Sequence, residues 1–294
     1  MSPELPQLIR IYNPNLTKFA ELQISNRKQM KTLKEQIEAI REKKGYIIDM
    51  DGVLYHGNKL LHGVKEFINW LIAEEKRFVF LTNSSERTPE ELQEKLGRLG
   101  IKVNKDVFYT SALATAMFLK GQNPKGSAYI IGEAGLINAL YNVGYTMNSV
   151  NPDYVVVGES RSYSYERIEH AVNLVIAGAK LIGTNPDLTG PAENGIVPAT
   201  KALISPIELA TGRSAYFVGK PNPLMMRNAL KKIRCNREVA LIIGDRMDTD
   251  ILSGIESEID TCLVLSGITS REMIDLFPYQ PRFVLDGVGD LVAD

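Results

Sequence analysis

Gly45-Tyr46-Ile47-Ile48-Asp49-Met50-Asp51-Gly52 is the stretch that decides the fold of this chain. A short apolar run, typical of a buried β-strand, ends in two carboxylates with one residue between them and then a glycine. If the backbone stays extended, Asp49 and Asp51 point to the same side. Two carboxylates this close repel each other unless a cation lies between them or one carries a proton. The stretch therefore predicts a metal site at the end of a strand.

Strands alternate with helices after this stretch. Residues 77–81 (RFVFL) have the composition of a second buried strand, which ends at Thr82 and Asn83. Thr88-Pro89-Glu90-Glu91 then supplies an N-cap, a first-turn proline and a capping-box glutamate for the next helix. Short strands separated by helices predict a parallel sheet covered on both faces, and such sheets bind ligands at the carboxyl ends of their strands. We expect an α/β fold.

A second alternating set follows, and we interpret it as an inserted α/β module. Its last predicted strand is followed by the loop 184–191, which is rich in turn-forming residues and long enough to cover a site. The first pattern then resumes with a predicted core strand at 215–218. The predicted division is an N-terminal helical extension (1–44), a core in two parts (45–113 and 210–294) and a cap (114–209).

The composition excludes several classes of protein. The chain has 294 residues with 34 Lys or Arg and 35 Asp or Glu, so its charge gives no reason to expect nucleic acid or an anionic membrane as partner. Cys235 and Cys262 lack metal-site spacing, which suits a reducing cytoplasm. No apolar run approaches the about 20 residues of a membrane span, and no export signal is evident. We expect a cytoplasmic protein whose partner is a small molecule or another protein.

The N-terminal extension shows one helical pattern. Met30, Leu33, Ile37 and Ile40 recur at spacings of three and four within residues 25–44. The stripe is shorter than the ~3–4 heptads of a coiled coil. We predict a helix docked on its own domain, with a dimer-forming segment as the alternative, and a homo-oligomer is left open.

The polar residues at the predicted strand ends suit phosphoryl chemistry. Ionised Asp49 can attack phosphorus, and Asp51 can protonate the leaving oxygen and later activate water. A carboxylate of Asp49, the Asp51 carbonyl and Asp245 suit the oxygen ligation that Mg²⁺ prefers. Lys220 and the Thr82 hydroxyl can neutralise and bind a phosphate.

Each of these residues also has a purely structural interpretation. Asp49 and Asp51 can be turn formers beside Gly52, and Lys220 can be a surface lysine. Asp250 can favour the positive end of the helix that follows it. The histidines have no metal-site spacing, so hydrogen-bonded or solvated roles are expected for His56, His62 and His170. The sequence has no GxxxxGK[ST] phosphate loop and no GxGxxG after a strand.

Four motifs in order resemble those of the haloacid dehalogenase (HAD) superfamily of phosphatases. They are Asp49-Met50-Asp51-Gly52-Val53-Leu54, Thr82-Asn83, Gly219-Lys220-Pro221, and residues 244–251 (GDRMDTDI). The chain is most similar to the class IIA branch, which has a large α/β cap between the second and third motifs and includes nitrophenylphosphatase-like and N-acetylglucosamine-operon phosphatases. The resemblance covers about residues 45–294 and leaves 1–44 outside.

The resemblance implies a Rossmann-like, doubly wound core, dependence on magnesium, and a role for each matching residue. Asp49 matches the nucleophile, Asp51 the acid/base, Asp245 the metal carboxylate, and Thr82 and Lys220 the phosphate binders. By the same matching, Asp250 is an acid that supports the metal ligands without binding the metal itself, and Asn83 is a hydrogen-bonding residue of the site. The stretch 184–187 resembles the branch's cap, which implies that Asn185 and Asp187 contact the substrate.

Two departures from the branch lie in the cap. Ala199-Thr200-Lys201 replaces an expected Gly-x-Gly, and Ser160 stands before Arg161 where an aspartate is more usual. Both bear on substrate choice, because the cap shapes it in this family.

The function that follows is a magnesium-dependent phosphomonoester hydrolase that forms an aspartyl-phosphate. Its expected substrate is a small phosphorylated metabolite, of the sugar phosphate, nucleotide monophosphate, phosphoglycolate or pyridoxal phosphate type. The alternative is a non-catalytic protein of the same fold that binds a phosphorylated metabolite and regulates a partner. A receiver-type phospho-acceptor domain is a third hypothesis, which the inserted module and the chain length disfavour.

Overall fold

The computed structural model of the chain describes residues 32–192 and 195–293. It divides into two units, residues 1–42 and 43–294. In the first unit, helix α1 (Leu33–Arg41) begins with a capping box, in which Thr32 accepts from the Glu35 N–H at 3.3 Å and Glu35 accepts from the Thr32 N–H at 2.7 Å. The predicted helix over 25–44 is therefore present over 33–41. Its earlier part, with Met30, lies outside the described residues, and the dimer alternative stays a prediction.

Six parallel strands form the core sheet of the second unit. They are β1 (Gly45–Ile48), β4 (Arg77–Thr82), β5 (Phe108–Thr110), β13 (Ala240–Gly244), β14 (Asp260–Val264) and β15 (Phe283–Leu285). Tyr46, Ile47 and Ile48 of β1 are all fully buried although neighbouring residues of a strand point to opposite faces, so both faces of the sheet are covered. This confirms the predicted doubly wound α/β core.

The order of the core strands explains where a ligand can bind. The order is β15-β14-β13-β1-β4-β5. The chain builds outwards from β1 through β4 to β5, and later returns to the other side of β1 as β13. Ligands of open α/β sheets bind beyond the carboxyl ends of the strands at such a reversal. The residues that follow β1 and β13 therefore flank the expected site.

Helices pack against the core sheet, and a two-stranded antiparallel hairpin follows β1. The hairpin strands are β2 (Tyr55–His56) and β3 (Lys59–Leu60), and the helices are α2 (Val64–Ala73), α3 (Pro89–Arg98), α4 (Ser111–Gln122), α8 (Pro223–Ile233) and α9 (Leu252–Glu256). Helix α3 begins as predicted, because Thr88 accepts from the Glu91 N–H at 3.2 Å and Glu91 accepts from the Thr88 N–H at 2.8 Å. A single π-helical turn, Met247–Ile251, leads into α9.

The cap is a second α/β layer structure inserted after α4. Its parallel sheet has the order β12-β9-β8-β6-β7 and lies with three helices and an antiparallel hairpin. The strands are β6 (Ser127–Ile131), β7 (Thr146–Met147), β8 (Tyr154–Val157), β9 (Lys180–Gly183) and β12 (Tyr216–Phe217), the hairpin is β10 (Thr189–Ala192) with β11 (Gly195–Pro198), and the helices are α5 (Ala134–Asn142), α6 (Tyr165–Ile176) and α7 (Thr200–Thr211). The inserted module predicted from the sequence is confirmed.

One strand that the sequence predicts for the core sheet belongs to the cap sheet. The segment 215–218, predicted as a core strand, contributes β12, whose residues pair with Ile182 and Gly183 of the cap. A run of four apolar residues cannot show which sheet it joins, because that depends on contacts distant in sequence. The end of the predicted loop 184–191 is also a strand, β10, and helix α7 was not predicted. The remaining domain boundaries stay predictions.

Buried polar contacts join the cap to the core. The Glu159 carboxylate, after β8, accepts hydrogen bonds from the Ser85 N–H at 3.1 Å, from the Ser85 hydroxyl, and from the Asn185 amide at 2.7 Å. Ser85 belongs to the core loop after β4, whereas Asn185 belongs to the cap. Burial raises the pKa of Glu159 in spite of these donors. Glu159 thus satisfies donors from both parts of the molecule.

Replacing Glu159 by Ala is therefore expected to lower the free energy of unfolding by about 2–3 kcal/mol, because buried donors of Ser85 and Asn185 lose their acceptor. Urea unfolding of the two proteins measures the difference. Glu169→Ala, at an exposed position of cap helix α6, is the control and should change stability by less than about 0.5 kcal/mol. Equal unfolding midpoints for both variants would contradict the stabilising role of the Glu159 hydrogen bonds between the cap and the core.

Candidate active site

The turn after β1 holds Asp49 and Asp51. The Asp49 N–H donates to the Ile243 carbonyl at 2.9 Å, which extends the β1–β13 ladder by one residue. The chain then turns, and the Gly52 N–H donates to the Tyr55 carbonyl at 2.9 Å. Gly52 has a φ of +80°, and a Cβ there would lie 2.4 Å from Oδ2 of Asp245. Only glycine fits this position, which lets the turn pack directly against Asp245.

Lys220 lies between two carboxylates. Its Nζ is 2.8 Å from Asp49 Oδ1 and 2.6 Å from Asp250 Oδ1, and the lysine is only 2% exposed. Burial disfavours the charged ammonium, but Asp250 and Asp49 outweigh it and raise the pKa of Lys220. The lysine is therefore a permanent cation beside Asp49. It follows β12 and lies where the chain returns from the cap, so it does not lie at the end of a core strand as predicted.

Asp49, Asp245 and Asp250 form an acidic cluster. One carboxylate oxygen from each lies within 4.8 Å of the others. Burial, and then the charges of Asp49 and Asp250, raise the pKa of Asp245 to about 8. Its Oδ2 accepts from the Ile268 N–H at 2.7 Å, and its other oxygen has no hydrogen-bond donor among the described residues. Oxygen donors with an excess of negative charge fit a hard divalent cation.

The Asp51 carboxylate lies outside this cluster. Its side chain is 39% exposed, and Oδ1 is 3.7 Å from Nδ1 of His56, whose Nε2 is 2.7 Å from the Ser266 carbonyl. Burial raises the pKa of Asp51, against the opposing charges of Lys95 and His56. The two acids of the motif thus have different surroundings: Asp49 contacts the Lys220 ammonium directly, whereas burial raises the pKa of Asp51. His56 is hydrogen-bonded, as predicted.

Thr82 and Asn83 occupy the end of β4. The Thr82 hydroxyl accepts from the Ser84 N–H at 3.1 Å and still has its own proton to donate. The Asn83 amide donates to the Lys220 carbonyl at 3.0 Å and accepts from the Lys220 N–H at 2.7 Å. Asn83 therefore holds the backbone of Lys220, so that its role in this geometry is to position the lysine. A direct contact of Asn83 with substrate stays a prediction.

The cap residues predicted to bind substrate reach the same place. Asp187 Oδ2 accepts from the Asn83 amide at 2.9 Å, and its other oxygen lies 3.9 Å from Arg246. Asn185 is fully buried and donates to the Asn83 carbonyl at 2.7 Å. Asp187 thus lies at the edge of the site, whereas Asn185 lies behind it. Their contacts with a substrate stay predictions.

The two departures in the cap have local partners. The Ser160 hydroxyl donates to Glu133 Oε1 at 3.2 Å. The Lys201 ammonium is 2.5 Å from Glu208 and 4.9 Å from the centre of the Phe217 ring. Lys201 therefore makes contacts within the cap and none with the acidic cluster.

Sequence patterns did not single out Arg246 or Lys95 as residues of the site. Arg246 donates to both oxygens of Asp248, at 3.0 and 2.8 Å. Lys95 lies on the buried side of α3, with Leu92 and Leu96. A lysine on the apolar stripe of an amphipathic helix is the signal that could have identified it.

Two family models match the chain. The model described as haloacid dehalogenase-like hydrolase matches residues 46–146, and the model described as HAD-hydrolase-like matches residues 217–291. Together they cover more than half of the sequence, including both parts of the core and the first elements of the cap. The chain belongs to the haloacid dehalogenase-like hydrolases, as its motifs predicted.

Relatives with curated names lead to a narrower class. The chain is 44% identical to the dihydroxyacetone phosphatase of Corynebacterium glutamicum, over 84% of this chain and 90% of that protein. It is 42% identical to the ribonucleotide monophosphatase NagD of Escherichia coli, over 84% and 98% of the two chains. The solved structure of that NagD superposes with a TM-score of 0.80, with 84% and 97% of the chains covered. The solved 4-nitrophenylphosphatase of Thermotoga maritima, 33% identical, gives a TM-score of 0.83, with 86% and 97% covered. The chain is a phosphatase of the HAD branch with a large α/β cap.

No helix in the part of the chain that the structure describes is long and apolar enough to cross a membrane.

A divalent metal bound to the acidic cluster should stabilise the fold, because it offsets the repulsion among Asp49, Asp245 and Asp250. We expect millimolar Mg²⁺ to raise the thermal midpoint of the chelator-treated protein by roughly 5 °C. Asp245→Asn should lose most of this rise. Asp248→Asn, at an acid outside the cluster, should keep it. The measurement is differential scanning fluorimetry, and the same rise in all three proteins would show that the ion binds elsewhere.

Proposed function

We propose that this protein is a magnesium-dependent phosphomonoester hydrolase that acts on small phosphorylated metabolites through an aspartyl-phosphate. The observation that carries the proposal is the contact of the Lys220 ammonium with Asp49 inside the acidic cluster. A second acid, Asp51, follows two residues later in the sequence and has different surroundings. A nucleophile needs one of the two acids ionised, and a general acid needs the other protonated.

Asp49 is the proposed nucleophile. The ammonium of Lys220 lies 2.8 Å from Asp49 Oδ1 and supplies positive charge beside the attacking group. One carboxylate oxygen attacks phosphorus, a bond from Asp49 to phosphorus forms, and the bond to the leaving oxygen breaks. Lys220 and the Thr82 hydroxyl are the groups of this chain that can neutralise and bind the transferred phosphoryl group.

Asp51 is the proposed acid and base. Burial raises the pKa of Asp51 above its ordinary value, which favours the protonated form that passes its proton to the leaving oxygen in the first step. In the second step Asp51 takes a proton from water as the water oxygen attacks phosphorus. Inorganic phosphate leaves, and the Asp49 carboxylate and the Asp51 proton are both restored.

Asp49, Asp245 and the Asp51 carbonyl are the proposed ligands of magnesium, and Asp250 supports the site through Lys220. The bound ion supplies positive charge that offsets the charge of the phosphoryl group. Asp187 of the cap is the proposed substrate contact on the cap side, which its hydrogen bond with Asn83 at the edge of the site supports.

The names of the relatives support a proposed substrate class of small phosphorylated metabolites. The names of the relatives cover dihydroxyacetone phosphate, nucleotide and sugar phosphatases, so we propose sugar phosphates, nucleotide monophosphates, phosphoglycolate and pyridoxal phosphate as the panel to test. The sequence also predicts a cytoplasmic location.

Hydrolysis of p-nitrophenyl phosphate tests the activity. We expect Mg²⁺-dependent release of p-nitrophenolate by the wild type, and a loss of roughly a thousandfold or more in Asp49→Asn, because the nucleophile is gone. Asp275→Asn, at an exposed acid remote in sequence from all four motifs, is the matched control and should keep the rate. If the wild type binds phosphorylated ligands but never exceeds Asp49→Asn in turnover across the panel, the protein is a binding protein and the proposal fails.

A second experiment separates the roles of the two acids. p-Nitrophenolate leaves without needing a proton, so Asp51→Asn should still form the aspartyl-phosphate from this substrate but hydrolyse it about a hundredfold more slowly. Rapid mixing should show a burst of p-nitrophenolate, and acid quenching should trap phosphorylated protein. Steady hydrolysis at the wild-type rate, with no burst, would remove Asp51 from the second step.

A further inference from the structure

A second buried lysine lies close to the site. Lys95 is 8% exposed and lies on the same side of α3 as Leu92 and Leu96, which pack into the core. Its Nζ is 3.6 Å from the centre of the Tyr55 ring. A cation over an aromatic face is attracted to the ring, but this contact uses none of the three N–H donors of the ammonium.

Tyr55 connects this lysine to the proposed acid/base. The backbone of Tyr55 forms a β-bridge with Asp51, and its carbonyl accepts from the Gly52 N–H. Tyr55 is 5% exposed, so its side chain is packed within the protein. The Lys95 ammonium is consequently held on the Asp51 side of the site, where the leaving group must lie if Asp51 protonates it.

No protein acid neutralises Lys95 as two acids neutralise Lys220. Among the described residues, the Lys95 ammonium makes no hydrogen bond or ion pair, and neither does the exposed guanidinium of Arg87. The neighbouring acid Glu86 lies 3.9 Å from Arg161 of the cap. Burial, followed by the like charge of Arg87, lowers the pKa of Lys95 to about 8, and Asp51 offsets only part of this shift. This side of the site has uncompensated positive charge.

We propose that Lys95, assisted by Arg87, binds a second anionic group on the leaving part of the substrate, either a carboxylate or a second phosphate. The inference rests on the proposed phosphatase function, because the leaving part is defined by Asp51. The preferred substrates are then phosphomonoesters that carry two anionic groups, one transferred beside Lys220 and the other retained beside Lys95.

Three esters with the same two-carbon skeleton test the inference: 2-hydroxyethyl phosphate, phosphoglycolate and ethylene glycol bisphosphate. In the wild type we expect kcat/KM for at least one anionic ester to exceed that for the neutral ester by about tenfold or more. Lys95→Met should lower that ratio by about tenfold, and Arg87→Met should lower it less, because Arg87 is exposed. The ester whose preference depends on Lys95 identifies the group as carboxylate or phosphate.

Lys102→Met, at an exposed lysine shortly after α3, is the matched control and should leave the ratio unchanged. Thermal unfolding of each variant verifies that it is folded. A wild type with no preference for either anionic ester would overturn the inference. So would a Lys95→Met protein whose kcat/KM falls equally for all three esters, because Lys95 would then act only through Asp51 or the fold.

Binding to an Asp49→Asn background separates this inference from the proposed function. Calorimetry with phosphoglycolate and 2-hydroxyethyl phosphate, with and without Lys95→Met, needs no turnover. A Lys95-dependent preference for the anionic ester in a protein that hydrolyses nothing would keep the inference and reject the hydrolase. Turnover of all three esters without such a preference would reject the inference and keep the hydrolase.

Discussion

The ion pairs of Lys220 with Asp49 and Asp250 are the interaction on which the site depends. Three carboxylates lie together at the end of the central strands, and the lysine is the only cation that the described residues place within ion-pair distance of Asp49 or Asp250. Buried charges are costly unless they are paired, and removing one partner leaves the others uncompensated. The position of Lys220 is itself maintained by two hydrogen bonds with the Asn83 side chain, which donates to the Lys220 carbonyl and accepts from the Lys220 N–H. The loop after β4 therefore controls the charge balance at the loop after β1.

The order of the strands brings these residues together from distant parts of the chain. Asp49 and Asp245 follow β1 and β13, which are neighbours at the point where the sheet order reverses. Asn83 lies in the loop after β4, and Lys220 follows β12, where the chain returns from the cap to the core. Since Asn83 also contacts Asp187 of the cap, the loop after β4, the return connection and the cap loop meet at one amide. A cap inserted at this place can act on the site without any change in the core sheet.

The two ends of the site differ in charge. At the phosphate end, the cation Lys220 is matched by acids and is permanently charged. At the proposed leaving-group end, Asp51 is half exposed, and the cations Lys95 and Arg87 form no ion pair with an acid among the residues that the structure describes. A site that performs the same phosphoryl transfer throughout a family needs a constant phosphate end. In the proposed mechanism the leaving-group end is the place where substrates are distinguished, and the charge of Lys95 and Arg87 is the basis of the proposed preference for anionic ones.

The sequence by itself determined the class of fold, the order of the motifs and the identity of the acids. Apolar runs that end in polar residues are local patterns, and the capping box joins Thr88 and Glu91, which are three residues apart. Only the tertiary structure decided that β12 joins the cap, that Asn83 holds Lys220, and that Lys95 faces Tyr55. These depend on pairs of residues separated by tens to more than a hundred positions. Sequence patterns that are local in range carry no information on such pairs, because the packing of whole elements brings them together.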